Sequence, residues 1–225
     1  MTAKLFRNSL FAVVLVFASG GFIFSQDNSN GLMSYLNGRA LESRNYPKEA
    51  NVSYSDAVRI CNDVIARNEA GRDTYTILTW ALLRQKKYAD VITWGERGLR
   101  LYADEYRIVE TMGEAYFYQT DYDSSLKFMQ RYANSSPDGE RISVAYFFIG
   151  EIYRLRKQYL HADIAYTTAV RLQPGLALWW YRLGSVREAA GSFSHAAEAY
   201  EQAVKLNPNY PEASNGLARS RRQAG

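Results

Sequence analysis

Residues Ala177 to Pro208 read A-L-W-W-Y-R-L-G-S-V-R-E-A-A-G-S-F-S-H-A-A-E-A-Y-E-Q-A-V-K-L-N-P, two helical periods separated by one break. Trp180, Leu183, Gly184 and Arg187 follow 3.6-residue spacing on a first helix, and Phe193, Ala196, Ala197, Tyr200, Ala203 and Val204 do so on a second. Gly191 and Ser192 divide the two. Pro208 stops the second helix, because proline lacks an amide donor and disfavours helical geometry in the residue before it. Gly184, Ala196 and Ala203 are small where backbones must approach, and Trp180, Phe193 and Tyr200 are large where holes must be filled. A hairpin of this kind cannot bury its apolar face alone, so the stretch demands neighbours.

The neighbours lie upstream. An aromatic residue that would open each second helix occurs at Tyr54, Tyr88, Tyr122, Tyr159 and Phe193, at spacings of 34, 34, 37 and 34. Gly113, Gly150 and Gly184 step by 37 and then 34, and so do Pro137, Pro174 and Pro208. W-x-x-L-G, then A-x-x-x-Y-x-x-A, then proline within a 34-residue unit resembles the tetratricopeptide repeat family. The resemblance implies an all-α fold, a right-handed superhelical solenoid of helix-turn-helix repeats, and a role in protein–protein interaction.

On this reading residues 1–25 are a leader, 26–70 an atypical first repeat or amino-terminal cap, 71–210 four repeats (72–105, 106–142, 143–176 and 177–210), and 211–225 a capping helix. Gln26 to Gly31 reads as a polar lead. In the first unit Leu32, Met33, Leu36, Ala40 and Leu41 form a helical stripe, the chain to Val52 reads as a loop, and Ser53 with Asp56 resembles a capping box. In the second unit Thr79, Val91 and Ala103 stand where glycine, alanine and proline are usual in the family. Its second helix also carries Gly95 and Gly98, each costing about 1 kcal/mol relative to alanine. Either Trp94 fills the space those glycines leave, or they mark a soft point. Three extra residues near Ser135–Gly139 lengthen one connection between units.

The leader carries Lys4 and Arg7, then the apolar run Leu10–Ala18, then Ser19, Gly20 and Gly21. That order suits a secretory signal peptide, with an uncleaved membrane anchor as the alternative. The expected location is therefore a bacterial periplasm, free or membrane-anchored, with membrane contact only if the leader stays attached. A net charge of +4, part of it in the leader, makes no case for nucleic-acid binding. The single cysteine, Cys61, excludes an internal disulfide and falls on an apolar helix face.

No catalytic, cofactor or metal constellation emerges. His161 and His195, the only histidines, occupy the same repeat position, and no phosphate loop or Cys/His cluster is present. No enzyme activity and no cofactor are expected. The family resemblance directs attention to a concave groove lined by first helices. Its repeat positions project onto Thr76, Trp80 and Arg84, then Arg107, Glu110, Glu114, Phe117 and Tyr118, then Phe147, Glu151 and Arg154, and finally Tyr181. Such a groove is aromatic with an acidic centre, suited to a protein or peptide partner with basic and apolar side chains. A slip of one helical position turns several of these rings inward as core. Self-association into a homo-oligomer, or an assembly subunit tethered to a membrane, is the alternative role.

Overall fold

The computed structural model describes residues 26–225, so the leader, whether signal peptide or anchor, lies outside the described residues. Eleven helices follow one another: α1 (Gln26–Ser43), α2 (Pro47–Ala66), α3 (Arg72–Arg84), α4 (Tyr88–Leu101), α5 (Tyr106–Tyr118), α6 (Tyr122–Ser135), α7 (Ile142–Leu155), α8 (Tyr159–Leu172), α9 (Ala177–Ala189), α10 (Phe193–Leu206) and α11 (Pro211–Ala224). There is no strand among the described residues. Each helix packs on the next in sequence, and α1, α3, α5 and α7 also touch in series, which makes a solenoid of hairpins with the first helices as one layer.

The turn inside each hairpin sets the register. Lys86, Thr120, Lys157 and Gly191 are left-handed, with φ between 57° and 77°, and each stands two residues before a second helix. Asn45, at φ 66°, stands two residues before Pro47 and marks the same turn in the first unit. The expected loop to Val52 and the expected capping box at Ser53 are therefore both corrected: α2 starts at Pro47, a proline whose missing donor costs nothing in the first helical turn. Ser53 lies buried within α2, its hydroxyl accepting a 2.9 Å bond from Asn37 Nδ2.

This start also corrects the spacing of markers. Tyr54 takes the eighth place of α2, as Tyr166 and Tyr200 do in α8 and α10, so its 34-residue step to Tyr88 joins unlike positions. The offset is absorbed by α2 itself, which has 20 residues where α4 has 14. Gln26–Gly31, expected as a lead, are helical. Asn28 accepts a 2.8 Å bond from Thr74 Oγ1 and Asp27 pairs with Arg67, tertiary contacts that hold a turn whose own propensity is weak.

Gly184 shows why the units interlock. A Cβ there would stand 2.7 Å from the ring of Tyr200, a wholly buried side chain, so only glycine admits the approach. In the second unit the exchange is reversed. Gly95 admits Met112 of α5 and Gly98 admits Tyr75 and Ile108, so the space is filled by residues of α3 and α5 and not by Trp94, which is half-buried. α4 runs unbroken through both glycines. Cys61 is buried in the amino-terminal core, where burial pushes its thiol up to about 12.

Candidate peptide-binding groove

Two adjoining cavities, of about 410 and 270 Å³, open along the first helices. They share Trp80, Glu110, Glu140 and Arg141, which makes them one groove from the first unit to the start of the fourth. Five of the twelve expected residues line it: Trp80, Arg84, Arg107, Glu110 and Glu114. Trp80 is half-buried, stacked on Tyr35 at 5.4 Å between centroids, with the Arg107 guanidinium 5.8 Å above its ring. Arg107 is held in turn by Glu105 at 2.7 Å and Asp73 at 2.8 Å.

The floor is made by Glu110 and Glu114, one turn apart on α5 and both buried. Among the described residues Arg141, just before α7, is the one cation paired with them: its Nε donates to Glu110 Oε1 at 2.9 Å and its terminal nitrogen donates to Glu114 Oε1. Burial, and then the neighbouring Glu114 charge, push the Glu110 carboxyl well above the usual carboxylate range. Burial opposes the Arg141 charge, but the two carboxylates more than offset it and keep the guanidinium charged.

Arg141 and Glu140 escaped the sequence reading because they belong to no repeat position. Both follow the three-residue insertion, and Ser136 and Gly139 of that same loop wall the larger cavity. The loop is fixed where the Arg141 amide donates to Tyr132 Oη at 3.3 Å. Its only signal in the sequence is the 37-residue step between otherwise 34-residue units.

The other expected residues lie elsewhere. Thr76 is fully buried, its hydroxyl donating to the Arg72 carbonyl at 3.1 Å, so it lines no surface. Phe117 and Phe147 are half-buried packing, against Phe148 at 5.0 Å and Trp179 at 4.9 Å respectively. Tyr118 is half exposed and stacked on Tyr88 at 5.1 Å, outside the two cavities. Glu151 is buried among Tyr166, Arg154 at 2.7 Å and Arg182 at 3.0 Å. Tyr181 packs on Tyr210 at 5.0 Å. Phe147, Glu151 and Tyr181 are covered by the unit that follows, through Trp179, Arg182 and Tyr210, whereas Tyr118 stays half exposed against Tyr88 of the unit before.

Every joint between units carries an arginine, in the later unit or, for Arg141, just before its first helix, on a carboxylate of the earlier one. The pairs are Glu42 with Arg84, Asp73 with Arg107, Glu110 and Glu114 with Arg141, Glu151 with Arg182, and Glu188 with Arg219. Among the described residues no group of three or more His, Cys, Asp or Glu side chains could hold a metal, and no helix is long and apolar enough to cross a membrane. His161 lines a different cavity, 5.1 Å from the ring of Tyr153.

Models of the tetratricopeptide repeat match residues 143–175 and 177–220. These two units are tetratricopeptide repeats. No curated protein matches the chain. Among solved structures, MamA AMB-1 is similar at 18% identity and a TM-score of 0.62, over 80% of this chain and 96% of that one. MamA from Desulfovibrio magneticus RS-1 is similar at 17% identity and a TM-score of 0.58, over 80% and 96%. The APC/C hetero-tetramer Cut9–Hcn1 is similar at 15% identity and a TM-score of 0.67, over 84% of this chain and 36% of that one. At such identities the likeness is one of fold: a tetratricopeptide-type solenoid extends across both the matched repeats and the less regular units before them.

Proposed function

We propose that the protein is an exported protein-interaction scaffold of the cell envelope, holding a peptide segment of a partner in the groove between its first and fourth units. The joining of the two cavities through Trp80, Glu110, Glu140 and Arg141 carries this reading, since it gives an open run with an aromatic wall and a charged floor. A large ring supplies contact area at low entropic cost, and fixed charges supply register. Tetratricopeptide repeats commonly serve as interaction modules, which supports a binding role over a catalytic one. Export rests on Lys4, Arg7 and the apolar run that follows them, with a periplasmic location and either a cleaved or a tethered leader. Cross-linking capture from envelope extract tests the reading, using the full chain beside a Trp80→Ala, Glu140→Arg variant that keeps its helical circular dichroism. Partners held by the wild type and lost by the variant support the groove; partners held equally by both reject it. Intact mass of the exported chain reads whether the leader is removed.

A second reading, an assembly subunit that packs on its own copies, is favoured by one observation. Leu160 and Ile164, one turn apart on α8, are 73% and 69% exposed, and Ile164 lines a separate cavity of about 300 Å³. Light scattering decides it: an oligomeric mass that falls to the monomer in Leu160→Glu, Ile164→Glu supports self-association, and a monomeric wild type rejects it.

A further inference from the structure

We infer that the groove seats a basic side chain of its partner, a lysine or arginine placed against Glu114 and Glu140, with an apolar neighbour in the partner against Trp80. The inference rests on the peptide-binding reading of the same groove and adds the chemistry of what it holds.

The charges of the walls carry the argument. Counting the groove lining together with its ion-pair partners, five arginines (39, 72, 84, 107 and 141) face seven carboxylates. The carboxylates are Glu42, Asp73, Asp104, Glu105, Glu110, Glu114 and Glu140, and no lysine lines either cavity. Most of these charges are matched. Arg84 is spent on Glu42, Arg107 on Asp73 and Glu105, and Arg72 on Asp104. The heaviest shortage falls on α5: Arg141 serves both Glu110 and Glu114, where Asp73, Asp104 and Glu105 share Arg72 and Arg107, and Glu140, lining the groove beside them, has no ion pair among the described residues.

A buried carboxylate without its own counter-charge is unfavourable, and a cation delivered by a ligand would relieve it. Burial first, and then the Glu114 charge beside it, hold the Glu110 carboxyl above the usual range, so the open negative charge of this corner lies on Glu114 and Glu140. The second cavity is lined by Glu114 and Glu140 together with Trp80 and Leu36, which is 48% exposed. Arg39, which donates to Tyr35 Oη at 3.3 Å, lines the same cavity with a positive charge. An acidic peptide would meet Arg39 favourably but would place its other carboxylates on the surplus negative charge. A basic–apolar segment meets both the charge and the ring.

Fluorescence anisotropy on the full chain tests this with three labelled decapeptides of alternating composition: lysine–leucine, serine–leucine and glutamate–leucine. The lysine peptide is expected to bind about tenfold tighter than the serine peptide, the size of one charge-assisted contact. The glutamate peptide is expected to bind weakest. Glu114→Gln with Glu140→Arg should erase the lysine preference, whereas Glu198→Arg, a charge reversal on the exposed side of α10, should leave it intact. Equal binding of lysine and serine peptides, both lost in Trp80→Ala, would overturn the basic preference while leaving the groove in place. So would a lysine preference abolished equally by Glu198→Arg, which would mark general attraction. Binding indifferent to Trp80→Ala, or no binding by any peptide, would overturn the groove reading itself.

Discussion

The joint between the third and fourth units and the joint between the fifth unit and α11 are built from the same parts and end in opposite electrostatic states. At the second, one carboxylate has two partners: Glu188 accepts from Tyr200 Oη at 2.7 Å and from both Nε and the terminal nitrogen of Arg219, at 2.8 and 3.0 Å. Those bonds, the Arg219 one foremost, lower its pKa. At the first, two carboxylates share one arginine in a more buried place, and Glu110 is pushed the other way. A carboxylate with partners to spare closes a joint. One left short, at the bottom of an open groove, is available to a ligand.

The largest expected effect separates the two joints directly. Arg141→Ala removes the ion pairs of the buried Glu110 and Glu114 carboxyls and should cost about 3 kcal/mol in chemical denaturation. Arg219→Ala uncovers a half-open carboxylate that keeps its tyrosine and should cost below about 1 kcal/mol. Equal losses would show that the surplus charge at Glu110 and Glu114 is already screened by water. Next comes packing: Gly184→Ala forces a Cβ against the Tyr200 ring and should cost about 2 kcal/mol. Gly175→Ala, with nothing within 4 Å of the added atom, should stay within about 0.5 kcal/mol of wild type.

The pH dependence sharpens the contrast. Glu188, lowered in the fold, contributes stability above its ordinary value of 4.5 and loses it as pH falls through the lower folded value. Glu110, raised in the fold, has the opposite sign: it is most favourable below 4.5 and weakens the fold as pH climbs toward its raised value. Melting temperature against pH should therefore lose part of its acid-side slope in Glu188→Gln, and part of its decline above pH 4.5 in Glu110→Gln. Matching profiles for the two variants would remove the distinction. The smallest effect is in the turns. Thr120, β-branched at φ 63°, holds the left-handed place that glycine takes at Gly191. Thr120→Gly should gain up to about 1 kcal/mol, and Gly191→Ala should lose about as much.

The fold was legible wherever a unit kept its length. Tyr88, Tyr122, Tyr159 and Phe193 each start a second helix, as their spacing predicts. The first unit was misread because α2 is longer than its counterparts, and Tyr54 fell by coincidence on the expected interval. The groove was half legible for a different reason. Repeat positions report which side of a helix a residue occupies, so Trp80, Arg84, Arg107, Glu110 and Glu114 were found on α3 and α5. They do not report what the next unit lays over that side, and Phe147, Glu151 and Tyr181 are covered in this way. Arg141 was invisible to any positional scheme, since the insertion that delivers it interrupts the scheme.

The arginines at the joints give the chain a direction in time. Each carboxylate waits for a partner that lies 27 to 42 residues further along. During synthesis each of these acids emerges before the arginine of its joint, though Glu151 already has Arg154 on its own helix and Glu188 has Tyr200 in its own hairpin. The last one is completed by α11. A chain cut before Arg84, Arg107, Arg182 or Arg219 thus leaves one carboxylate without the arginine of its joint, and one cut before Arg141 leaves two, Glu110 and Glu114.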